Sequence, residues 1–177
     1  MIAKIICSKP IENLLIVCYN SIKTENQVPE RKIIMKISTK GRYALRMLLD
    51  LAQHSNEGYV ALKDIAERQD ISKKYLEQIV PLLNKSGLLK TNRGYQGGYM
   101  LSKPAEQYTV GEILRITEGN LCPVACLQYE KNDCPRAADC MTLFVWEGLY
   151  KTITEYLDRI SLQDIMDRGS GNGNFCI

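Results

Sequence analysis

The sequence predicts a mainly α fold: a winged helix-turn-helix with a small β-hairpin wing, followed by a long C-terminal dimerisation helix. Three observations predict it. Segments of helical periodicity follow one another between Ser38 and Ser86, each closed by a polar or glycine break. Two short strand-like runs then flank Arg93-Gly94-Tyr95-Gln96-Gly97-Gly98, whose glycines suit a hairpin tip. Finally, apolar residues recur at helical spacing from Met141 to about Ile160, on a helix too apolar on one side to stand alone in water.

Each element has its own signals. Residues 1–34 carry no sustained period and end in the polar run Thr24 to Glu30, whereas Met35 opens the patterned region. Met35 is therefore read as the true start. Residues 1–34 are then an extension, disordered or a start-site overcall, in which Cys7 and Cys18 carry little functional weight. From Ser38, the residues Leu45, Leu48, Leu49 and Ala52 share one helical face, with Lys40, Arg42 and Arg46 placed to reach solvent or phosphate. The lone histidine, His54, falls at the end of this helix, and Gly58 breaks it. Ala61–Gln69 is a short second helix with Leu62, Ile65 and Ala66 inward.

Asp70-Ile71-Ser72 makes the turn, and Ser72 suits the N-cap of a third helix running to about Ser86. That helix turns Leu76, Ile79, Val80 and Leu83 inward and stops at Gly87. Pro81 inside it lacks a backbone donor, so a bend or local loosening is expected there. The strands are Leu88–Asn92 and Tyr99–Ser102. Thr109-Val110-Gly111-Glu112 is a capping box that opens a helix to about Glu118, which Gly119 and Asn120 end. In the long helix Val145, Trp146, Leu149, Ile153, Tyr156, Leu157 and Ile160 repeat, and pairing with a second copy is one way to cover them. The expected organisation is a winged domain at 35–104, a linking helix and cysteine loop at 105–140, the dimerisation helix and a short following helix at 141–168, and a flexible tail at 169–177. Cys176 in the tail is read as incidental.

The formal charge of +3 conceals an asymmetry: residues 36–103 carry +6 and residues 104–177 carry −5. A basic half suits a module that neutralises phosphates and releases their counterions. No run approaches the roughly 20 apolar residues that cross a bilayer. No continuous signal-peptide core or cleavage site is present near the start either, so the expected location is the cytoplasm and no membrane partner is expected. The histidine count of 1 offers no general-base constellation, which argues against an enzyme.

The chemistry concentrates in two places. At the start of the third helix, Ser72, Lys73, Lys74, Tyr75, Glu77 and Gln78 occupy positions that enter the major groove of double-stranded DNA in a helix-turn-helix. Gln78 can pair two-pronged with adenine, Lys73 or Lys74 can reach guanine or phosphate, and Glu77 either accepts from cytosine or forms a surface ion pair. On the wing, Arg93 at its base can reach a minor groove, next to Gly94, and Tyr95 can pack on sugar or close the hairpin. The second place is a loop with four cysteines, Cys122, Cys126, Cys134 and Cys140. Thiolates in a reducing compartment suit an iron-sulfur cluster, with zinc as the alternative and a thiol-disulfide switch after that.

Three strings sharpen this reading. Met35-Lys-Ile-Ser-Thr-Lys-Gly-Arg-Tyr-Ala44, Ile71-Ser-Lys-Lys-Tyr-Leu-Glu-Gln-Ile79 and Arg93-Gly-Tyr-Gln-Gly-Gly-Tyr99 resemble the signature segments of the Rrf-type winged-helix transcriptional regulators, over about Met35 to Gly169. In type, the chain is most similar to the family's iron-sulfur cluster regulators of the IscR kind. The resemblance implies a homodimer held by the long helix, binding a near-palindromic operator as a repressor or dual regulator. It also implies a cluster, 2Fe–2S before 4Fe–4S, on three cysteines before that helix, which Cys126, Cys134 and Cys140 match by order and by distance to Trp146. IscR-like members add a histidine three residues past the last cysteine, where this chain has Leu143. Cys122 is the substitute fourth ligand, with Asp133, Asp139 or a partner-subunit group as rivals. CymR-like members lack the cysteines and are regulated through a partner enzyme, a mechanism these cysteines argue against.

Overall fold

The computed structural model describes residues 36–94, 97–129, 131–132 and 134–171. The N-terminal extension with Cys7 and Cys18, the wing residue Tyr95, Asp133 and residues 172–177 with Cys176 lie outside them, whereas 169–171 of the expected tail continue the last helix. Among the described residues, six helices and one hairpin follow in order: α1 (Thr39–Gln53), α2 (Leu62–Gln69), α3 (Lys73–Lys85), β1 (Leu89–Asn92), β2 (Gly98–Leu101), α4 (Val110–Glu118), α5 (Leu143–Asp158) and α6 (Leu162–Gly171). Short 3-10 turns at Ala125–Leu127 and Ala137–Asp139 punctuate the cysteine loop. Among the described residues no helix is long and apolar enough to cross a membrane.

α1 is the central helix, packed against α2, α3, α4, α6 and β2. Its start is capped twice. Ser38 Oγ accepts from the Gly41 amide at 3.3 Å and donates to Glu118 Oε1 at 2.7 Å. A Cβ on Gly41 would stand 2.2 Å from that same Glu118 oxygen, so a larger residue here would push the carboxylate off its bond to Ser38. The buried stripe of α1 is Ala44, Met47, Leu48, Leu51 and Ala52, turned from the expected face. Leu45 and Leu49 lie at its margin because a second cluster, Val110, Leu114 and Leu121, draws Leu45 to the other side of the helix.

α2 ends at Asp70, whose φ of 50° and ψ of 48° place it in the left-handed region that aspartate tolerates better than most side chains. α3 is N-capped by Ser72 Oγ, which accepts from the Tyr75 amide at 3.3 Å. It buries Leu76, Ile79, Val80 and Leu83, the expected face. The loosening expected at Pro81 does not end the helix: Pro81 sits on the exposed side, where water can take the carbonyl left without a donor.

The hairpin pairs Leu89 with Leu101 through to Asn92 with Gly98, one residue off the expected limits. It also has a third partner. Val60 and Tyr99 exchange two backbone hydrogen bonds of 2.9 Å, and a Cβ on Gly98 would lie 2.5 Å from the Val60 carbonyl oxygen. Gly98 is thus needed for that strand contact. Tyr108, fully buried, donates its hydroxyl to the Leu88 carbonyl at 2.7 Å and accepts from the Ser102 amide at 2.8 Å, tying the wing to the start of α4. The capping box is half made: Thr109 Oγ1 accepts from the Glu112 amide at 3.1 Å, but the Glu112 carboxylate accepts from Lys103 Nζ instead.

The C-terminal segment returns to the winged half. The Val110 amide donates to the Ile160 carbonyl at 2.9 Å and the Leu162 amide to the Tyr108 carbonyl at 3.0 Å. Leu162 is fully buried in the main core, which therefore reaches beyond Leu101 to Tyr108, Ile113 and α6. α5 rests Tyr150 and Leu157 on Val110, Leu114 and Leu121, and an ion pair between Arg115 and Asp158 ties it to α4.

Candidate nucleic-acid interface and cysteine loop

The buried face of α3 leaves Lys73, Lys74, Glu77 and Gln78 exposed on the opposite face, with Ser72 exposed at its cap. Lys73 Nζ and Glu77 Oε1 are 3.6 Å apart, both more than half exposed. This is the surface ion pair that sequence reasoning held as the alternative for Glu77, and at such exposure it contributes little to stability. Tyr75 is half-buried and meets Tyr43 edge-on at 5.3 Å between ring centres, so its ring packs on α1. On the first turn of α1, Arg42 is exposed and donates to Thr39 Oγ1 at 3.2 Å, with Lys40 half-buried beside it. Arg93 and Gly94 are exposed just past the end of β1, at the wing tip rather than its base.

Arg46 is elsewhere than expected. Its guanidinium turns from solvent to the end of α2, where it donates to the Gln69 carbonyl and, through Nε at 3.1 Å, to Gln69 Oε1. One turn on, Asp50 is a charged side chain in the core, 1% exposed, gripped by Arg68 Nε at 3.0 Å, Arg68 Nη2 at 2.6 Å and Gln69 Nε2 at 3.0 Å. The Asp50 hydrogen bonds raise the Arg68 pKa above its ordinary value. Sequence reasoning missed this network. Its one signal was an aspartate between Leu48, Leu49 and Leu51, and its partners come from α2, outside any local spacing.

The cysteine loop joins α4 to α5. Asn120 fastens its start, accepting from the Cys122 amide at 2.9 Å and donating to the Gln128 carbonyl at 2.6 Å. Cys122 is 2% exposed, and its thiol donates to the Leu127 carbonyl at 2.7 Å. It lies against Tyr150 of α5, whose pKa is raised first by burial and then by Cys122. Cys126, Cys134 and Cys140 are free thiols of intermediate exposure. Cys140 stands just before α5, where the Thr142 hydroxyl and then the Thr142 and Leu143 backbone hold its pKa below the usual thiol value. The structure does not bring the cysteines together: among the described residues no three His, Cys, Asp or Glu side chains are gathered to hold a metal ion.

Residues 37–168 match the model of the Rrf2 family, described as an iron-dependent transcriptional regulator. The chain belongs to the Rrf2 family. The rrf2 protein of Nitratidesulfovibrio vulgaris is 42% identical over 132 residues, covering 75% of this chain and 87% of that protein. The IscR regulator of Erwinia tasmaniensis is 38% identical over 133 residues, covering 75% and 79%. Among solved structures, T. potens IscR is 40% identical with a TM-score of 0.62, covering 80% of this chain and 93% of that one. CymR, the global cysteine regulator of B. subtilis, is 37% identical with the same TM-score of 0.62, covering 75% and 97%. This Rrf2 protein is thus a winged-helix, DNA-binding transcriptional regulator and not an enzyme.

Proposed function

We propose that this Rrf2 regulator acts in the cytoplasm as a homodimeric repressor whose operator affinity follows iron-sulfur, redox or nitric oxide status through a cluster on Cys126, Cys134 and Cys140. The observation that carries the reading is the placement of these thiols: all three are half-exposed in the segment joining α4 to α5, with Cys140 at the N-terminus of α5. Backbone N–H groups at a helix start favour the thiolate, the form that binds iron. The donor set suits an iron-sulfur centre, and such a centre supplies a charge and an occupancy that change with iron supply, oxidation or nitric oxide. To join as a fourth ligand, Cys122 would have to release the Leu127 carbonyl.

On the DNA side, Lys74 and Gln78 read base edges, while Lys40, Arg42, Lys73 and the Ser72 cap position the helix on phosphates. Tyr75 supports the helix, Glu77 restrains Lys73, and Arg93, Gly94 and Tyr95 form the wing contact. The second copy covers the outer face of α5, where Val145, Leu149 and Tyr156 are 44%, 42% and 63% exposed. Both ends of the loop touch this machinery. Glu118, before the loop, caps α1 beside Lys40 and Arg42, and Cys140, after it, leads into α5. A loop that changes order on binding a metal centre therefore bears on half-site spacing and on the first turn of α1.

Anaerobic purification with a visible spectrum and iron, sulfide and zinc analysis tests the reading. Iron, sulfide and visible absorption are expected, and all three should vanish on replacing Cys126, Cys134 or Cys140 by alanine. Cys122→Ala decides the fourth ligand: loss of the centre makes Cys122 a ligand, and retention leaves it a core residue. Stoichiometric zinc without iron or sulfide, even after reconstitution, would replace the sensor with a zinc-stapled regulator.

A further inference from the structure

Arg46 and Asp50, one turn apart on α1, grip adjacent residues at the end of α2. Asp50 accepts from both Arg68 and Gln69, and the oriented Gln69 amide presents Oε1 to Arg46 Nε at 3.1 Å. Arg46 also donates to the Gln69 backbone carbonyl, one of the last carbonyls of α2, which has no partner within the helix. The next residue is Asp70, in its left-handed turn, and Ser72 then caps α3. On its other side the Arg46 guanidinium carbon lies 5.7 Å from the Tyr43 ring centre, and Tyr43 meets Tyr75 of α3 edge-on. One guanidinium therefore touches the exit of α2 and, through a single ring, the first turn of α3.

We propose that Arg46, acting with Gln69 and Asp50, is a positioning residue for DNA reading: it sets the angle at which α3 leaves the turn, and so where Lys74 and Gln78 meet base edges, without touching DNA itself. A guanidinium is a rigid planar fork, and here its donors hold two oxygens of one residue, which fixes both the carbonyl and the side chain of Gln69. Two-pronged base contacts depend on placement to about 0.5 Å, whereas flexible lysines on phosphates absorb small tilts. Losing the brace therefore degrades sequence discrimination before it degrades affinity for DNA in general. This inference rests on DNA binding and is independent of what the cysteine loop holds.

The test compares a duplex selected by the wild-type full-length protein from a randomised pool with a scrambled duplex of the same length, across a salt titration. Arg46→Met should weaken the selected duplex by about tenfold, the cost of one badly seated base contact, while scrambled affinity and the salt slope stay at wild-type values. Arg46→Lys, which keeps the charge but not the fork, should behave like Arg46→Met. Gln69→Met, which removes no positive charge, should reproduce the loss of discrimination from the other side of the contact. Equal losses on both duplexes for Arg46→Met, with a salt slope smaller by about 1, would make Arg46 a phosphate contact and overturn the proposal. Full rescue by lysine, or wild-type discrimination in Gln69→Met, would overturn it as well.

Discussion

α3 and α5 are both amphipathic, and their apolar residues meet opposite fates. α3 buries Leu76, Ile79, Val80 and Leu83 and exposes lysine, glutamate and glutamine. No residue of α5 is buried, and Phe144 and Tyr156 remain 73% and 63% exposed. The winged half is finished by its own chain, even to the extent of enclosing Asp50 with full hydrogen bonding. The cysteine loop and α5 present free thiols and an uncovered apolar face instead. The difference teaches that the winged half encloses its own apolar residues, whereas α5 leaves an apolar face in water, and whether a second copy covers it is open to test.

Leu149→Asp strikes the comparison hardest. The side chain is 42% exposed in the single chain, so an isolated monomer tolerates the change. A carboxylate buried without a partner between two α5 helices should instead weaken the dimer on the order of hundredfold or more. Sedimentation across a concentration series reads this directly, and a wild-type dimer would move the interface off this face.

Ile79→Ala probes the other side. Ile79 is fully buried in the main core, so its truncation should cost about 2–5 kcal/mol in denaturant unfolding. The loss should be the same at every protein concentration when measured in the Leu149→Asp background. A concentration-dependent loss there would mean that the winged half also leans on a partner.

Gln78→Ala removes the proposed base-reading group from an exposed surface and should leave unfolding unchanged. Binding to a selected operator should fall by about 1–3 kcal/mol at one base position, with random-sequence affinity nearly intact. Equal losses on both would remove Gln78 from the base-reading set.

Ser38→Ala is the smallest expected effect, about 1 kcal/mol of stability, from losing the helix cap to Gly41 and the hydroxyl bond to Glu118. If the α1 cap couples the loop to DNA binding, the variant should also narrow the affinity difference between metal-loaded and metal-free protein. An unchanged difference would confine the cap to stability.

Much of this was legible in the residues because it is local. The α3 face followed from spacing alone, since a helix with four apolar residues on one side and charges on the other has one way to lie on a core. The caps at Ser72 and Thr109 followed from side chains that bond their own backbone three residues on. What was missed is distant. The turned stripe of α1 depends on α4 packing against its second side, and the Val60 strand contact joins residues with no shared period. Arg46 carries the clearest lesson: helical position placed it near the phosphate side, and only the approach of α2 shows that Gln69 holds it.

The order of helices, the hairpin, the basic first half and the set of available thiols were determined by the sequence itself, because periodicity, turn chemistry and ligand type are properties of residues within a few positions of one another. Tertiary structure decided which charges leave water, which glycines must be glycine, and that Cys122 is buried against Tyr150 while Cys126, Cys134 and Cys140 stay accessible. Those outcomes depend on desolvation and on contacts between residues far apart in the chain, which no local spacing encodes.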